Sequence, residues 1–106
     1  MKLVQIVFCT IDSRDAARRI ARQLVEERLA ACVNIIDNVT SVYKWEGHLE
    51  EDTELLMVMK TSADRLSSLI DRIQEMHPYD VPEILAWPAE KDNPSYVDWV
   101  LTQTRS

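Results

Sequence analysis

Pro78 and Pro82 restrict the segment over residues 77–84, His-Pro-Tyr-Asp-Val-Pro-Glu-Ile, to very few backbone paths. Each pyrrolidine ring fixes its own φ at about −65° and drives the residue before it toward extended geometry. A helix must therefore stop before Pro78, and the chain is set to enter a strand at Glu83. His77, Tyr79, Asp80 and Glu83 ride on this short, stiff helix-to-strand connector, a common position for a functional site.

The flanking sequence supplies the elements. Residues 2–10 are β-branched and aromatic, with Val4, Ile6 and Phe8 on one face and Leu3, Val7 and Cys9 on the other, which predicts a central strand. Asp12 or Ser13 can cap a helix whose apolar stripe is Ala17, Ile20, Ala21, Leu24 and Val25. Arg18, Arg19, Arg22, Gln23 and Glu26 fall on its opposite face. Residues 30–44 read as a long second strand bent near Asp37-Asn38, and the only glycine, Gly47, marks a tight turn. Residues 51–60 return as a third strand, and Thr61 or Ser62 can cap a second helix with Leu66, Leu69, Ile70 and Ile73 inward. Residues 83–87 form a short fourth strand. Asn93-Pro94 then opens a last helix, with Tyr96, Val97, Val100 and Leu101 on its inner face.

The order β-α-β-β-α-β-α, without an internal linker, predicts one domain over residues 1–106 of the α+β class. Two β-α-β halves joined by a hairpin make the ferredoxin-like, or split β-α-β, arrangement: an antiparallel sheet with helices on one face, here with an extra C-terminal helix. The second and third strands are longer than the other two can cover, so the hairpin is expected to be sheltered by self-association.

Composition narrows the partners. The net charge of −6, with arginines clustered only on the first helix, disfavours nucleic acid. The apolar run over residues 6–11 is too short for a signal core or a bilayer span. Two cysteines in a chain with 46% hydrophobic residues need no disulfide framework, which points to a cytoplasmic protein with reduced thiols. One glycine cannot build a phosphate loop, and no nucleophile elbow is present, so no enzyme activity is expected.

Following chain direction through this topology brings Cys9, Met76, His77 and Glu83 to the same end of the sheet. A thiol, a thioether and an imidazole form a soft donor set suited to copper, above all Cu(I). The competing readings are structural: Cys9 and Met76 as core residues, and His77 as a partner of the last helix carbonyls.

Several ordered segments together resemble the CutA family of divalent-cation tolerance proteins, over about residues 3–104. They are Leu24-Val25-Glu26-Glu27-Arg28-Leu29-Ala30-Ala31-Cys32-Val33-Asn34, Ser41-Val42-Tyr43-Lys44-Trp45-Glu46-Gly47, Glu54 with Lys60-Thr61, His77-Pro78-Tyr79 with Pro82-Glu83-Ile84, and Tyr96 with Trp99. The resemblance implies a homotrimer whose long hairpins pair across subunits, with a role in tolerance of divalent metals and copper as the usual ligand. It also implies a copper site using a cysteine at the end of the first strand and two adjacent histidines before Pro-Tyr. Cys9 and His77 match two of these positions; Met76 stands at the third. Two other functions suit such a trimer: a small-molecule sensor like the PII signalling proteins, with ligand clefts between subunits lined by Tyr79, Trp45 and Glu83, or a structural scaffold.

Overall fold

The computed structural model describes residues 3–105; the expected strand start at Lys2 lies outside them. In chain order the elements are β1 (Val4–Ile11), α1 (Arg14–Glu26), β2 (Cys32–Trp45), β3 (His48–Ser62), a 3₁₀ turn (Ala63–Arg65), α2 (Leu66–Met76), β4 (Ile84–Pro88) and α3 (Pro94–Gln103). The four strands form one antiparallel sheet in the order β2-β3-β1-β4, the α+β arrangement expected from the sequence.

Burial explains why these segments adopt these elements. Alternation along β1 sends Val7, Cys9 and Ile11 into the core, where Met57 and Met59 of β3 meet them. Ser13 caps α1, its Oγ accepting the Ala16 N–H at 3.1 Å. Ala17, Ile20, Ala21 and Leu24 are buried beneath that helix. Val25, placed on the inner stripe by periodicity, is instead 45% exposed at the stripe's edge.

The second strand starts two residues later than expected, because the Leu29 and Ala30 N–H groups both return to the Leu24 carbonyl and extend the helix terminus. Arg28, at φ 61°, makes that reversal. Neither Thr61 nor Ser62 caps α2. Both still belong to β3, a 3₁₀ turn precedes the helix, and the Thr61 hydroxyl donates to the Leu29 carbonyl at 2.6 Å. The expected bend in β2 is a register shift between Ile36 and Val39, with Asn38 at φ 59°.

A bidentate ion pair joins the end of α1 to α2: Arg72 Nε and Nη2 each lie 2.9 Å from a Glu27 carboxylate oxygen. Arg72 first, and Gln23 second, hold the Glu27 carboxyl below its ordinary value of 4.5. A carboxyl depressed in the folded state stabilises the fold above its unfolded pKa, and that contribution fades as pH falls through the folded value. Arg72→Ala is therefore expected to flatten the loss of stability below about pH 4.5, measured as the shift in urea midpoint with pH beside the parent protein.

Two features of the sheet bear on function. First, α1 and α2 cover only one face. On the other, register aligns Ile6 with Trp87, Phe8 with Val58 and Leu85, and Ile36 with Leu56. Leu85 and Trp87 remain 60% and 41% exposed there. α3 covers one end of this face through Val97 and Val100 against Val4 and Ala31.

Second, β1 pairs with β3 only as far as Leu55, while β2 and β3 continue together from Val39–Glu54 to Trp45–His48. They close on a two-residue turn, with Glu46 at φ 52° and Gly47 at φ 82°, the geometry that suits a twisted hairpin. The result is a bare two-stranded arm on a molecule 45 Å long and 26 by 22 Å across.

Candidate functional site

The chemistry-bearing residues meet where β1 ends, α2 ends and the proline connector begins. α2 stops at Met76, and His77 is already extended at φ −73° and ψ 136°, as a residue before proline should be. That turns the imidazole, which is only 8% exposed, onto the end of β1. Its Nε2 lies 2.8 Å from the Thr10 carbonyl oxygen, and its Nδ1 accepts the Tyr79 N–H at 3.1 Å. A backbone N–H can only donate, so Nδ1 is the unprotonated nitrogen and Nε2 carries the hydrogen given to Thr10.

The Cys9 thiol approaches the same Thr10 oxygen at 3.7 Å. Sulfur and imidazole thus converge on one carbonyl, although 67 positions separate His77 from Thr10. Met76 is half-buried and packs against the core cluster that contains Cys9. Glu83 is exposed at the start of β4, yet close enough for its charge to act on the thiol.

Tyr79 stacks edge-on against His77 with ring centroids 4.6 Å apart, and its hydroxyl donates to the buried Glu54 carboxylate at 2.8 Å. Desolvation first, then the bond to Glu54, push the Tyr79 phenol well above its ordinary range. The Tyr43 hydroxyl on the hairpin donates to Asp52, which raises that phenol to about 12. Glu54 is the residue whose role sequence reading missed. Its partner lies 25 positions away, and no local spacing announces the pair.

The donor set has definite chemical limits. Burial, helped by the charges of Glu83 and then Glu54, pushes the Cys9 thiol up to about 12, so it is held as S–H and not as the thiolate that binds metal. His77 has both ring nitrogens engaged, and freeing Nε2 as a lone pair would break the Tyr79 N–H bond that shapes the connector. Among the described residues, no three His, Cys, Asp or Glu side chains are gathered closely enough to hold a metal ion. The residues expected to take copper share one end of the sheet, but in this conformation they do not fit a copper ion. Trp45 and His48 sit far out on the hairpin turn, both exposed.

Comparison with known proteins bears on the whole chain. Residues 5–103 match the family described as CutA1 divalent ion tolerance protein. The Thermus thermophilus divalent-cation tolerance protein CutA is 47% identical over 100 residues, covering 94% of this chain and 97% of the relative. Mouse protein CutA is 45% identical over 103 residues, which cover 97% of this chain but only 58% of that longer relative. The crystal structure of CutA1 from Ehrlichia chaffeensis superposes with a TM-score of 0.94 at 35% identity, covering 100% of this chain and 99% of that one. A relative from Archaeoglobus fulgidus, described as a periplasmic divalent cation tolerance protein, superposes at 0.93 with 35% identity, covering 97% of this chain and 100% of that one.

Proposed function

Because the chain belongs to the CutA1 divalent ion tolerance family, we propose that it works as a non-catalytic homotrimer in the cytoplasm that binds copper or divalent cations and takes part in tolerance of divalent metal ions. The observation that carries this reading is the unfinished sheet. One face exposes Leu85, Trp87 and Ile36, and the arm exposes Val42, Tyr43, Trp45 and Leu49. Apolar surface of that extent favours a protein partner.

The sheet order leaves two different free edges, β2 and β4. A contact between unlike surfaces is heterologous, and a heterologous contact that closes makes a ring; the family resemblance supplies the number three. The two cysteines are free thiols, which suits a reducing compartment.

Copper capture by Cys9 and His77, with Met76 as a third donor, belongs to the same proposal and carries a defined cost. The thiol must give up its proton, and His77 must release Thr10 and Tyr79. Sedimentation should give three times the 12.3 kDa subunit mass. Titration with Cu(I) should show binding that weakens more than about tenfold in Cys9→Ala, the range typical of a lost metal-site residue. Equal binding by parent and variant removes Cys9 from the site and leaves the trimer untouched; a 12.3 kDa species at micromolar concentration removes the trimer.

A further inference from the structure

The helix layer carries a surface that the metal and self-association readings leave unused. α1 presents Arg14, Arg18 and Arg22 at steps of four residues, so they rise in one row at about 6 Å per step. Arg14 is fastened to Asp37 of β2 by a 2.9 Å ion pair, which sets the row alongside that strand. Among the described residues, no carboxylate pairs with Arg18, Arg19 or Arg22. In a chain with 18 acidic residues and a net charge of −6, this cationic patch without internal partners stands apart.

Two adjoining concavities shape the surface. One, of about 390 Å³, lies among Asp15, Arg18, Arg19, Arg22 and Gln23. The other, of about 460 Å³, lies between α1 and β2, with Ala21, Val25 and Val33 as its apolar lining and Arg22 and Glu26 at its rim. Both are shallow and open, too flat to enclose a small molecule but wide enough for a length of chain. This surface belongs to the helix-covered side of the sheet, opposite the face that exposes Leu85 and Trp87.

We propose that this surface docks an extended acidic segment of a partner protein, with carboxylates at alternate positions and an apolar residue two places further on. The fit is metric as well as electrostatic. Alternate residues of an extended chain are about 6.6 Å apart, close to the spacing of the arginine row, so successive carboxylates meet Arg18 and then Arg22. The next inward side chain reaches Val25 and Val33. Guanidinium groups favour this pairing because their planar fork binds a carboxylate bidentately. Arg19 lines the same concavity beside them and adds to its charge.

The test uses the full-length protein and a fluorescein-labelled peptide with Glu, Glu and Leu at alternate positions separated by serines, followed by fluorescence anisotropy. The expected result is saturable binding that weakens at least about tenfold in Arg18→Glu/Arg22→Glu, about 1.4 kcal/mol. Lys91→Glu, in the loop between β4 and α3 and outside both concavities, should change it by less than about threefold, and Val25→Ser should weaken it measurably. All these positions are exposed, so unchanged melting temperatures show that the fold is intact. No binding by the parent protein, equal loss from Lys91→Glu, or binding of a thymidine oligonucleotide as tight as the peptide would each overturn the proposal, the last by showing a general polyanion surface.

Discussion

Leu85→Glu/Trp87→Glu is expected to hold the protein at the 12.3 kDa mass of a single subunit under conditions where the proposed trimer of the parent would sediment at three times that mass. Both side chains lie on β4, on the sheet face that α1 and α2 leave bare, and are 60% and 41% exposed in the protomer. Their burial by a neighbour is worth about 1.5–3 kcal/mol each, and a carboxylate trapped in their place costs several kcal/mol more. Losing about 4 kcal/mol per contact shifts association about a thousandfold. The protomer itself should survive, although Trp87 gives up its edge-on contact with Phe8 at 4.7 Å, worth about 0.5–1.5 kcal/mol. Leu85→Glu alone spares that ring pair and is the cleaner variant. A double variant that still sediments at three times the subunit mass means that subunits meet elsewhere.

His77→Leu is expected to destabilise the metal-free protein by about 2–4 kcal/mol, because it leaves the Tyr79 N–H without its partner and the Thr10 carbonyl with only the long Cys9 thiol contact, an unmade bond costing about 1–3 kcal/mol. Leucine fills most of the ring's volume, so little of the loss is a cavity effect. The measurement is urea unfolding in the presence of a chelator at one fixed subunit concentration, since self-association shifts apparent stability. Stability unchanged in the chelated protein would mean that His77 is not a strut between α2 and β1. A large loss with metal-binding capacity retained would make it a strut alone.

The contrast between those outcomes shows what was legible in the sequence. Several periodic and local signals match the structure, although neither Thr61 nor Ser62 caps α2 and Tyr96, expected on the inner face of α3, is 38% exposed. β1 carries apolar residues on both faces because α1 and α2 cover one and the other is the bare sheet face. Ser13 caps α1, and Asn93 caps α3, its Oδ1 accepting the Ser95 N–H at 3.1 Å. Gly47 turns the hairpin at the φ that a side chain resists.

The hairpin's true length was harder to read. Residues 48–50 fall outside the third strand expected over 51–60, yet the β2–β3 ladder runs through them and starts β3 at His48. A ribbon exposed on both faces has no burial to impose alternation, so its sequence need not announce a strand. At the candidate site, topology placed Cys9, Met76, His77 and Glu83 at one end of the sheet. Which atom each ring nitrogen would face could not be read from residue types. The Thr10 carbonyl that receives both His77 and Cys9 is backbone, present at every position and invisible in composition. Val25 marks the limit of periodicity in the other direction: a stripe predicts which side of a helix turns inward, but not where the neighbouring layer stops covering it.

The arm beyond Glu54 has a consequence for inheritance. Two strands alone in water are marginal, so in the proposed trimer the arm would become firm only where a neighbour lends it a surface. In the proposed trimer a fault in the arm would be suffered by the copy next to it as much as by the copy that bears it. Where sound and faulty chains are made together, the proposed trimer would spread the damage through mixed assemblies, so that a faulty copy weighs more than its share.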